Sequence, residues 1–287
     1  MKLTRILVVM GLLPWTLAAC GSEDEAGEGS VSLNAYGEEY IEDGIPASAF
    51  EDGWSATFER FLLVLGPIQV ADEAAGTAGR IEEAVLLDLT RQGPHELGEL
   101  HAIEARAWDD VGFLTQPATS STERHASATA DDLELMREHG YSVYVEGRAA
   151  REGVTKTFRW GFTHTTRYEH CVQVDTTGAE SRRGVLVTDG GVESVQLTIH
   201  GDHFFYDDLS AADAVLRFDA IAAADADEDG EVTLEELDAI HLFELSEGSY
   251  GTGSASDVNT LGDFVDALTD TLGHFQGEGH CHSIREP

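Results

Sequence analysis

The sequence predicts an α+β protein: an antiparallel β-sandwich-like domain followed by a small helical module. Three observations carry that prediction. Between residues 49 and 207, apolar and polar residues repeatedly alternate, as at Phe158, Trp160 and Phe162, which is the period of a strand with one buried face. Turn residues such as Asp189-Gly190-Gly191 punctuate these runs. After Leu209 the apolar spacing lengthens, and Leu261, Phe264, Val265, Leu268 and Leu272 fall on one side of a helix.

The strands are predicted in chain order. Trp54, Ala56 and Phe58 alternate, and Phe61, Leu63 and Leu65 continue out of phase, which calls for a bulge near Arg60. Gly66-Pro67 ends that run, residues 81–89 form another apolar stretch, and residues 101–108 alternate weakly. Residues 129–140 read as one short helix. Tyr141, Val143 and Val145 face one way until Gly147, and the Phe158–Trp160–Phe162 strand follows. Residues 184–187 and 192–200 complete the set, with Val195, Leu197 and Ile199 inward and Gln196, Thr198 and His200 outward. In the helical part, Ser210 caps a helix over 211–224, with Val215, Phe218, Ile221 and Ala222 on its apolar face. A second helix spans 234–245, residues 248–254 link, and a third starts near Asp257 with Val258 on its apolar side. The tail from Gly273 is short and rich in His and Gly.

Composition bounds the function. With 42% hydrophobic and 8% aromatic residues in 287, the chain can bury a core. Its 54 acidic and 17 basic residues give a net charge of −37. Such a surface excludes nucleic-acid binding, which runs on lysine and arginine. It also repels anionic headgroups and attracts cations, multivalent ones most.

The N-terminus reads as an address. Residues 1–5 are basic, and residues 6–19 are apolar but shorter than a membrane span. Leu17-Ala18-Ala19-Cys20 resembles the lipobox of bacterial lipoproteins. The resemblance implies a signal peptide over 1–19, acylation of Cys20, and a cell-envelope protein anchored to a membrane by that lipid. Gly21 after the cysteine implies sorting to the outer membrane. Without Lys2 and Arg5, the remaining 15 basic against 54 acidic residues leave −39. Residues 20–48, rich in Ser, Gly, Glu and Asp, read as a flexible acidic tether. The domain order is then 1–19, 20–48, 49–207, 208–248, and 249–287 as an amphipathic helix with its His-rich tail.

Residues 225–236 read D-A-D-E-D-G-E-V-T-L-E-E. Calcium takes six to eight hard oxygens from a tightly wrapped chain. Asp225, Asp227 and Asp229 offer carboxylates at positions 1, 3 and 5, and Gly230 permits the sharp turn. Glu231 offers a carbonyl, Thr233 a site for a bridging water, and Glu236 two oxygens at position 12. The stretch 210–245 resembles the EF-hand family, which implies Ca²⁺ as ligand within 208–248. EF-hands usually pair through position 8, here Val232, and no second loop is present. Either the third helix or the β-domain covers the open face, or two molecules pair as a homodimer.

Twelve histidines are unevenly placed. His200 and His203 sit at a strand end, His170 precedes Cys171, and His280 and His282 flank Cys281. With Cys20 consumed by lipid, Cys171 and Cys281 have each other as partners in an oxidising compartment. A bond between them would draw His170, His280 and His282 together, and imidazoles suit Zn²⁺ or Cu²⁺. If reduced, the two thiols could themselves be ligands. No nucleophile elbow, P-loop or dinucleotide fingerprint is present. The expectation is a calcium-binding, non-catalytic envelope lipoprotein. The alternatives are a zinc- or copper-handling lipoprotein built on the histidines, and an envelope hydrolase.

Overall fold

The computed structural model describes residues 27–246 and 249–287. The expected signal peptide and the expected lipidation site Cys20 lie outside the described residues. Among the described residues, no helix is long and apolar enough to cross a membrane.

The chain enters on β1 (Glu28–Gly37), makes one turn of helix α1 (Glu39–Glu42) and runs into β2 (Ser55–Asp72). Then come β3 (Gly76–Ile81), β4 (Val85–Asp88), β5 (His95–Glu104), β6 (Ala107–Trp108), β7 (Asp110–Thr115) and β8 (Glu123–Arg124). Helix α2 (Ala130–His139) precedes β9 (Val143–Arg151), β10 (Val154–Phe162), β11 (Thr166–Val174), β12 (Glu180–Arg183), β13 (Val185–Leu186) and β14 (Val192–Ile199). The C-terminal part holds α3 (Asp219–Ala223), β15 (Glu231–Val232), α4 (Leu234–Asp238), α5 (Leu261–Leu268), β16 (Gly273–Phe275) and β17 (Gly279–Arg285).

The protein is mostly β, as the alternation predicts, but the sheet is mixed and curled instead of an antiparallel sandwich. Fifteen strands join one sheet, whose main path runs β15-β10-β9-β2-β7-β11-β17-β16-β14-β1-β5. β1 with β14, β10 with β15 and β4 with β8 are parallel. The bulge expected near Arg60 is a register shift between Phe58 and Arg60 against β9. Gly66-Pro67 does not end β2. The strand passes through it, and the irregularity is confined to a shift between Leu65 and Ile68 against β7. The helix over 129–140 forms as α2, with Thr129 and Asp132 in a capping box and Gly140 left-handed at its end.

Four expectations are corrected. Residues 28–37 are not tether: Val31, Leu33 and Ala35 are fully buried, and β1 lies between β14 and β5. Their period-two pattern is short and hidden beside an acidic flank. The helix expected at 211–224 is reduced to α3, because Asp208 accepts the amides of Ser210 and Ala211 in a turn and Asp207 accepts that of Val215. Side chains that satisfy turn amides compete with helix. The helix expected at 234–245 stops as α4, and the third begins at Leu261 behind Thr260, not near Asp257. The tail is no loose end, since β16 and β17 form a hairpin between β14 and β11.

No separate helical module forms among the described residues. Phe218, Ile221, Val232, Leu237, Leu261 and Val265 share one core with Trp54, Phe158 and Phe205. The expected pairing of Cys171 with Cys281 is present, linking β11 to β17 across 110 residues. Closing a loop of that length stabilises by about 4–5 kcal/mol in the chain-entropy account.

Candidate metal centre

β14 delivers His200 at its end, where the chain must turn sharply. Gly201 makes the turn possible: a Cβ there would meet Ile41 Cγ1 at 2.5 Å. A single 3-10 turn, Asp202–Phe205, then brings His203 round to the same side. β16 pairs with β14 through Thr198 and His274, so the tail hairpin supplies a third imidazole. His200, His203 and His274 each offer a ring nitrogen within 4.8 Å of the others'. The rings of His200 and His274 stack at 4.1 Å, and His203 stands 5.0 Å from His274.

The three line a cavity of about 550 Å³ with Glu38, Tyr206 and Glu278. His203 Nδ1 meets Thr271 Oγ1 at 2.8 Å, which fixes that ring. His200 Nε2 lies 3.4 Å from the Gly277 carbonyl. His274 Nδ1 is buried without a hydrogen-bond partner. Burial, then the neighbouring His200, pushes His203 down to about 3. Burial, then the other histidines, pushes His274 down to about 2. Neutral imidazoles keep a lone pair for a metal. Burial also pushes Glu38 up to about 7, against the amide of Tyr40 that its carboxylate accepts.

Of the five histidines singled out from sequence, His200 and His203 converge and His280 stands exposed at the cavity mouth. His170 and His282 do not join them. A register shift between Glu169 and Val172 interrupts β11 against β17, and His170, at φ 54°, turns towards Asp110. His282 faces Glu169 at 3.7 Å. Both His170, at 3.8 Å, and His282 lie against Glu169 Oε1, so the two rings gather around that carboxylate and not around the three-histidine cluster. His274 was missed because it falls in the short tail from Gly273, which gave no sign of pairing with β14. The signal was the strand-like spacing of His280 and His282 after a glycine-rich turn.

The acidic loop forms a second group. Asp225, Asp227 and Asp229 bring carboxylates within 4.8 Å of one another. Asp225 accepts the amides of Asp229 and Gly230, closing the turn at Gly230, φ 92°. Thr233 caps α4, and Glu236 returns one oxygen to Thr233 and aims the other at the amide of Ala226. The donor set fits a hard cation. A cation is already at hand: Lys156 Nζ, from β10, pairs with Asp225 and holds its carboxyl below the usual range. Val232 is fully buried, and β15 pairs with β10 through Phe158. Of the covers the sequence left open for Val232, the structure has it against the chain's own sheet.

No family model matches the sequence, and no curated protein matches it. Among solved structures, MbnP from Methylosinus trichosporium aligns with 11% identity and a TM-score of 0.31, over 61% of this chain and 76% of that chain. That likeness is too distant to carry fold or function.

Proposed function

We propose that this is a metal-binding protein of the bacterial cell envelope. Its working site is His200, His203 and His274, which take one Zn²⁺ or Cu²⁺, and it performs no catalysis of its own. The observation that carries this reading is the convergence of three imidazole nitrogens within 4.8 Å on one cavity wall, one of them buried with no other partner. A buried polar atom without a partner is costly, and a metal ion would relieve that cost. Imidazoles select zinc or copper over calcium and magnesium. The lipobox resemblance around Cys20 supports a lipid anchor on a membrane, and Gly21 supports the outer membrane. There the strongly acidic chain, at 15 basic against 54 acidic residues, would gather cations near the site.

The test is metal content and affinity of the protein purified from an oxidising compartment without chelators. One equivalent of zinc or copper is expected, lost in His274→Ala and kept in His170→Ala and His282→Ala. A Kd weaker than about a millimolar, on the order of −4 kcal/mol, would defeat the reading.

A second ion, Ca²⁺, is proposed for Asp225, Asp227, Asp229, Glu231, Thr233 and Glu236. The parallel pairing of β15 with β10 favours this, because it makes the loop part of the sheet. Calcium there would pin the C-terminal segment to the β-core. Asp225→Ala and Glu236→Gln should each abolish any calcium-dependent rise in melting temperature, and an undiminished rise in both variants would remove calcium from the account.

A further inference from the structure

We propose that His280 is the exchange ligand of the three-histidine centre, the imidazole that takes a metal ion from solvent and passes it inward. The proposal rests on the reading of His200, His203 and His274 as a metal site. It goes beyond that reading by assigning the route of entry and release.

The tail hairpin places His280 directly across from His274 as a cross-strand pair. Their rings are 5.6 Å apart and edge-to-face, so one metal ion between them could touch both. The two residues differ in setting. His200 and His203 are buried and His274 is half-buried, while His280 is exposed. All four line the same cavity, and Glu278 stands exposed beside His280 at its mouth. Among the described residues, no side-chain hydrogen bond or ion pair holds the His280 ring. Its backbone, by contrast, is anchored: the next residue, Cys281, is bonded to Cys171. His280 is thus a swinging ring on a fixed hinge.

Ligand chemistry gives that arrangement a purpose. Zinc is stable with four tetrahedral ligands, and three inner imidazoles leave one position open. An incoming ion held by His280 and His274 needs only to trade solvent for His200 and His203 to reach the interior. A departing ion makes the same exchanges in reverse. The acidic Glu278 raises the local concentration of cations at the point of capture.

Zn²⁺ loading and its removal by a chromophoric chelator, followed by stopped flow on the full chain, test the proposal. His280→Ala and the size-conserving His280→Gln are expected to keep one equivalent of zinc while loading and removal both slow about tenfold, the scale on which metal-site neighbours act. His282→Ala, on the same strand, should behave as wild type. Wild-type rates in both His280 variants would overturn the proposal. Loss of stoichiometric zinc in them would also overturn it, because His280 would then be an inner ligand. A wild-type chain that takes up no zinc overturns the three-histidine reading itself and this proposal with it, a result distinct from failure confined to the His280 variants.

Discussion

Lys156 and Asp225 meet where the sheet touches the acidic loop, and under the calcium proposal the pair would decide how the loop treats the ion. Asp225 is buried, and its charge is balanced by the ammonium on β10. A calcium ion bound by Asp225 would stand against that ammonium, and like charges a few ångströms apart repel in a partly buried setting. Calcium must therefore displace Lys156. In Lys156→Met the competitor is gone, and titration calorimetry should show tighter calcium binding than in wild type. Unchanged or weaker binding would mean that the lysine does not compete. The twelve-residue loop was legible because its chemistry is local: carboxylates at fixed spacings around one glycine. Lys156 was not, because it reaches the loop across 69 residues of chain.

β1 shows what sequence reading loses between residues and elements. Three inward side chains, Val31, Leu33 and Ala35, alternate over a stretch too brief to stand out from Ser- and Glu-rich surroundings. Only the neighbouring β14 and β5 give that alternation a buried face. Leu33→Ala should lower the unfolding free energy by about 2–5 kcal/mol, the range for a fully buried leucine, in denaturant titration. A loss within experimental scatter would return β1 to the status of a tether. α5 is tied down differently. His164 lies 3.4 Å from both Asp266 and Asp270, and Arg285 of β17 pairs with the same two carboxylates. Burial opposes a charge on His164, but hydrogen bonds to the two aspartates outweigh it and raise its titration above 6.5. A group raised on folding stabilises fully below its unfolded value, and that contribution disappears as pH rises through the folded one. The melting temperature of wild type should therefore exceed that of His164→Gln most below about pH 6, and the gap should shrink as pH rises through the raised folded-state value. A gap that widens with pH would show that His164 is held neutral.

For the whole molecule, the β-rich character was readable and the architecture was not. Period two reports that a strand has a buried side, not which strand lies beside it. The C-terminal segment misled for a related reason. Ala-rich, acidic stretches such as 211–224 have helix propensity, but Asp207 and Asp208 spend their oxygens on turn amides, Leu216 is held in β-bridges, and the aromatic core buries Leu216 and Phe218. The candidate metal centre was half legible. His200 and His203 sit three apart in the chain, whereas His274 joins them only because β16 lies against β14.

β14 has the early β1 on one edge and the late β16 on the other. A ribosome or an export channel delivers the chain from its N-terminus, so β1 can meet β14 while β16 is still to come. Until then, β14 has an open edge and His200 and His203 wait without their third partner. The hairpin that fills the edge carries His274, His280 and the cysteine that closes the covalent loop. Completion of the sheet, oxidation of the thiols and assembly of the three-histidine cluster therefore arrive together, after β1 and β14. Under the proposed reading, a chain still without this hairpin would lack the three-histidine site altogether.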